Sequence, residues 1–127
     1  MRRADAVRAL VTLGLAVALA APAACAVESD YTELADHACP EDSDLDYETF
    51  GAPFLAANCQ PCHASDSADR NGAPEAFTFD TVEQVRDHRE RMFVRAAADN
   101  TSMPPGPDDP PAEERDLLAD WLACGAP

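Results

Sequence analysis

Five consecutive residues constrain this chain more than any others: Cys59-Gln60-Pro61-Cys62-His63. Two cysteines with two residues between them, followed at once by a histidine, have the spacing at which two thiols add across the vinyl groups of a haem while the imidazole reaches its iron. A chain committed to that attachment folds around a flat apolar plate. Forty positions on, Met103-Pro104-Pro105 offers a thioether for the opposite face of the iron. The proline after Met103 keeps the backbone extended, so a loop presents the side chain.

Other chemistry for the two cysteines is a redox dithiol or half of a zinc site. Zinc needs further ligands, and only Cys39, Cys124, His37 and His88 remain, none in paired spacing. A thioredoxin-like pair needs a βαβ setting, of which the sequence has no sign. Met103 has three competitors as sixth ligand. Met92 lies on an apolar stripe and reads as core. His88 stands among Arg86, Asp87, Arg89 and Glu90 and reads as solvated. His37 sits in an acidic stretch.

The 127 residues leave room for one domain, and the first 24 are not part of it. Arg2, Arg3 and Arg8 precede an apolar run over residues 10–21 and then small residues up to Cys25. This is an export signal, too short for a membrane span. Its end has two readings: Cys25 is the lipid-bearing first residue of a lipoprotein, or Ala24-Cys25-Ala26 is a signal-peptidase site. Export places the chain in an oxidising compartment, the periplasm.

Removing residues 1–24 takes away three arginines and one aspartate, so the formal charge goes from −15 to −17. The chain has no lysine. Nucleic acid and anionic membrane surfaces are therefore excluded as partners, and a membrane is met only through lipid on Cys25. The acidity either steers in a basic-surfaced redox partner or serves as a solvated coat.

Residues 25–46 are rich in Asp and Glu and read as a tether or surface arm. The folded part, 47–127, is expected to be all-α. A short helix is expected from Pro53 to Cys59, with Pro53 in its first turn, and a helix starts at Asp80 with Glu83 three residues on, bending or splitting near His88. A last helix runs from Pro110 or Pro111 to Gly125, with Leu117, Leu118, Trp121 and Leu122 as its apolar stripe and Glu113 and Glu114 at its start. Few large apolar residues serve this part, so a buried macrocycle would supply missing core. With two thiols on haem and Cys25 set aside, Cys39 and Cys124 form one even pair. A bond between them would close an 86-residue loop, stabilising by at most about 4.6 kcal/mol in the chain-entropy treatment. The alternatives are free thiols or a bond to another chain.

The residues together resemble a class I c-type cytochrome. The likeness runs over 51–125: Gly51, Phe54-Leu55, the Cys59–His63 motif, Arg70-Asn71-Gly72-Ala73-Pro74, Met103-Pro104-Pro105, Glu114-Arg115, Leu118, Trp121-Leu122 and Gly125. It implies a small helical domain wrapped around one covalent haem c, with His63 and Met103 on the iron and single-electron transfer as the function. It also implies that the carbonyl of Pro74 accepts a hydrogen bond from the far nitrogen of His63. The family's aromatic four before the first cysteine is Leu55 here, with Phe54 five before, so one of these is expected against Trp121. Arg70 either offsets a haem propionate or is a surface arginine.

The expected protein is thus an electron carrier rather than an enzyme. Two other classes stand beside it: a peroxidase or small-ligand sensor that has lost the Met103 bond, and a haem-free binding lipoprotein of the same fold. No Ser/His/Asp arrangement or phosphate loop supports a hydrolase or a kinase.

Overall fold

After a single 3-10 turn at Leu34–Asp36, the chain turns helical again at Asp46, whose carboxylate accepts from the main-chain nitrogen of Thr49 at 2.7 Å and from its hydroxyl at 2.8 Å. Those bonds hold the Asp46 carboxyl below its ordinary value. The structure, a computed structural model, describes residues 31–127. The export signal over 1–24 and Cys25 lie outside the described residues. Among those described there are helices and loops and no strand, so the architecture is all-α.

A π-helical turn, Tyr47–Gly51, runs directly into α1, Ala52–Asn58. The helical run therefore begins before Pro53, which sits in the first turn of α1 where a missing N–H costs nothing. Pro61 then interrupts the ladder because it has no N–H to donate back along the helix. The next turn is its own element, α2, Gln60–His63. A loop leads to α3, Val82–Asp87, which is separated by His88 from α4, Arg89–Ala96. The split near His88 was expected. The start of α3 was placed one residue early, because Thr81 rather than Asp80 is the cap. The Thr81 hydroxyl accepts from the Gln84 nitrogen at 3.3 Å, and Gln84 Oε1 accepts in return from the Thr81 nitrogen at 3.1 Å.

The last helix, α5, Ala112–Ala123, packs against α4. Leu118, Trp121 and Leu122 are buried as expected, but Leu117 points outward. Arg115 takes its place on the buried face, at 3% exposure. Arg115, Leu118 and Leu122 are spaced i, i+3, i+7 and so share one side of the helix. Gly125 ends the helix with φ +95°, a conformation L side chains adopt only with strain. Two arginines supply donors at this negative end: Arg89 Nη1 to the Leu122 oxygen at 3.3 Å and Arg86 Nε to the Ala126 oxygen at 2.9 Å.

Trp121 was expected to meet Leu55 or Phe54. The residues packed on its ring include three from a turn earlier. Gly51 lies directly against the indole, Tyr47 stacks on it at 6.5 Å between centroids, and Phe50 meets it edge-on at 6.0 Å. The π turn carries the helical run back to Tyr47, so residues ahead of α1 reach the indole first. Leu55 and Phe54 are buried in the same core.

Residues 31–46 lie along the body at several points. Asn100 donates to the Thr32 oxygen at 2.9 Å and accepts from the Thr32 nitrogen at 3.2 Å. His37 bonds Asp120 at 2.8 Å and packs on Phe93. Cys39 and Cys124 form a disulfide with their Cα atoms 4.7 Å apart. The segment is a surface arm, held rather than free.

Candidate functional site

The turn after α1 fixes the chemistry. The nitrogens of Cys62 and His63 both bond the Cys59 oxygen, at 3.1 and 2.8 Å, so residues 59–63 form one helical turn. Cys59 and Cys62, three apart, then share a side of it. Both thiols are free of disulfide and line a single cleft with His63. Burial pushes the Cys59 thiol up to about 12.

The His63 ring is held from two sides. Its Nδ1 lies 2.8 Å from the main-chain oxygen of Phe77, and the Phe79 ring packs on it with centroids 5.0 Å apart. A carbonyl can only accept, so Nδ1 carries the hydrogen. In the neutral imidazole that leaves the lone pair on Nε2. The expected partner, the carbonyl of Pro74, is not used here. Pro74 lines the cleft, but its oxygen accepts from the Phe77 nitrogen at 3.0 Å and from Arg70 Nη2 at 2.9 Å. The turn closed by that first bond delivers the Phe77 oxygen to the imidazole.

Arg70 proves to be neither idle nor simply a surface cation. Besides Pro74, it donates to the oxygens of Ala64 at 2.6 Å, Ala73 at 3.2 Å and Phe77 at 3.3 Å. One guanidinium thereby ties both ends of the loop between α2 and α3.

Met103, 39% exposed and followed by Pro104 and Pro105, lines the same cleft. Its backbone is held on both sides. The Met103 nitrogen donates to the Arg95 oxygen at 2.8 Å, and its oxygen accepts from Arg115 Nη1 at 2.9 Å. The same Nη1 donates to the oxygens of Ala96 at 2.8 Å and Asn100 at 3.0 Å. Arg115 therefore anchors the loop that carries Met103. Sequence reasoning noted Arg115 without giving it this task; its signal was a cation on the apolar side of α5. The Phe77 carbonyl had no signal, since every residue has one.

Of the competing ligands, Met92 also lines the cleft, buried in the core as expected. His37 and His88 do not line it. His88 was expected to be solvated; it is half-buried, with its ring 4.8 Å from that of Phe77, because the split between α3 and α4 turns it inward.

The cleft has a volume of about 340 Å³, within the range of small-molecule sites, and its walls are mostly apolar. No acidic residue among those described lines it, in a chain with 24 of them. Arg70, Arg91 and Arg95 do. Among the described residues no three His, Cys, Asp or Glu side chains gather for a metal ion, so Cys59, Cys62 and His63 do not by themselves build a zinc site. Two thiols, an imidazole nitrogen lone pair and a thioether around an apolar cleft fit a covalently held haem.

Compared with protein-family models, curated proteins and solved structures, the chain matches none.

Proposed function

We propose that this chain is a single-haem c-type cytochrome, a periplasmic one-electron carrier with His63 and Met103 as axial ligands. One observation carries the reading: Cys59, Cys62, His63 and Met103, spread over 45 positions of sequence counted inclusively, line the same apolar cleft. Bound there, haem supplies an iron that exchanges one electron. Cys59 and Cys62 would hold it through thioether bonds, and His63 would offer Nε2 while Phe77 fixes the ring. Met103 offers its sulfur from a loop anchored by Arg115. Phe54, Phe77 and Phe79 exclude water, which limits reorganisation on electron transfer.

Export rests on the first 24 residues, and the Cys39–Cys124 bond accords with an oxidising compartment. No helix among the described residues is long and apolar enough to cross a membrane. The partner is a redox protein; the chain's acidity favours a basic surface on it through long-range attraction.

The exposure of Met103, 39%, favours a second reading, in which that ligand is lost and peroxide or a small gas binds the iron. An absorption spectrum and intact mass of the exported protein test both. The carrier reading expects a haem-sized mass increase and six-coordinate, low-spin iron. A five-coordinate spectrum turns the assignment to the second reading. Colourless protein with both thiols unmodified overturns both.

A further inference from the structure

The main-chain oxygen of Phe77 serves two donors at once: His63 Nδ1 at 2.8 Å and Arg70 Nη2 at 3.3 Å. We infer that Arg70 is a positioning residue that sets the electron-donating strength of His63, acting through the carbonyl the two share. The inference rests on the haem reading above.

The physics begins with the carbonyl. Its oxygen has two lone pairs, so it can accept both bonds. The hydrogen bond from Nδ1 raises the basicity of the opposite nitrogen, Nε2, and the strength of the acceptor governs by how much. A guanidinium on the same oxygen draws electron density away and weakens that push. A less basic imidazole favours ferric iron less, so Arg70 holds the midpoint potential up. Its positive charge beside the cleft acts in the same direction.

Arg70 also fixes the geometry. Its bond to the Ala64 oxygen, at 2.6 Å, grips the residue directly after His63. Its bonds to Ala73 and Pro74, at 3.2 and 2.9 Å, grip the turn that delivers the Phe77 oxygen. The distance between imidazole and carbonyl is thus spanned by one side chain. Arg91 and Arg95 line the same cleft but are not bonded to this carbonyl, so the chain contains its own control for charge alone.

The test uses the exported, haem-loaded full chain and its Arg70→Gln, Arg70→Lys and Arg91→Gln variants. Potentiometric titration gives the midpoint potential, and proton–nitrogen NMR follows the His63 Nδ1–H. Arg70→Gln is expected to lower the potential and move the Nδ1–H resonance downfield as its hydrogen bond strengthens. Arg91→Gln is expected to lower the potential while leaving that resonance in place. Should Arg70→Gln fail to mature, Arg70→Lys, which keeps the charge but not the four-carbonyl grip, is read by the same resonance and is expected to move it.

An unmoved His63 resonance in the matured Arg70 variants overturns the inference, as does a response identical to that of Arg91→Gln. A wild-type chain without covalent haem overturns instead the functional reading beneath it.

Discussion

Gly51 and Trp121 touch so closely that a methyl group on Gly51 would overlap the indole, lying 2.7 Å from Cη2 and nearer still to Cζ2. This contact joins the π turn before α1 to α5. The indole is fully buried and wedged among Tyr47, Phe50 and the core, so it has no room to withdraw. Gly51→Ala is expected to destabilise the protein by about 1–3 kcal/mol, the usual cost of forcing extra volume into a packed core. Urea unfolding measures it, and an unchanged midpoint would contradict the contact.

Arg115→Met keeps most of the length of the side chain but strips the carbonyls of Ala96, Asn100 and Met103 of this donor. Leaving a buried acceptor without its donor costs about 1–3 kcal/mol. A more specific effect precedes unfolding. On the ligation proposed above, a Met103 no longer anchored would weaken the sulfur-to-iron charge-transfer band at temperatures where helical circular dichroism is still native. Parallel loss of both signals would show that Arg115 serves only general stability.

The disulfide carries a separate expectation. Replacing Cys39 and Cys124 by serine opens a loop of 86 residues and is expected to cost up to about 4.6 kcal/mol. Residues 31–46 would lose their one covalent tie and keep the Thr32–Asn100 and His37–Asp120 bonds and the packing of Leu34, His37 and Leu45 on the body, so limited proteolysis should cut there first. Cleavage at wild-type rate would mean that those hydrogen bonds suffice.

Cys59 predicts a pH dependence in protein made without haem. Its folded thiol titrates at about 12 against an ordinary 9.0, because burial penalises the thiolate. Above about pH 9 the unfolded chain releases this proton while the folded chain still holds it. The folded state therefore loses stability as pH rises from about 9 towards 12, and the loss is absent below that window. In a Cys62→Ser variant, alkylation at pH 8 should be slow when folded and fast in denaturant. Once haem is attached, the thiol is consumed and the dependence disappears.

The helices were legible because their signals are local. The Cys59–His63 spacing, the break near His88, Gly125 and the acidic start of α5 each depend on a few neighbouring residues. What could not be read depends on which atoms tertiary packing brings together. Leu117 and Arg115, two apart, fall on opposite sides of α5, and hydrophobicity alone favoured the leucine; only the three carbonyls gathered around Nη1 decide for the arginine. The exchange of Pro74 for Phe77 has the same origin, since which carbonyl meets an imidazole depends on how a turn closes. The shift of a cap from Asp80 to Thr81 is smaller, a choice between adjacent residues that both favour that position.

The Cys39–Cys124 bridge has a mechanical corollary. Every residue lining the cleft, from Phe54 to Pro105, lies inside the ring it closes. A pulling force applied at residues 31 and 127 would travel along the arm, cross the sulfur–sulfur bond and leave through the last three residues. The cleft would bear almost no tension. In a single-molecule stretching experiment the oxidised protein should extend only by the slack outside the ring, whereas the reduced one should release its whole length.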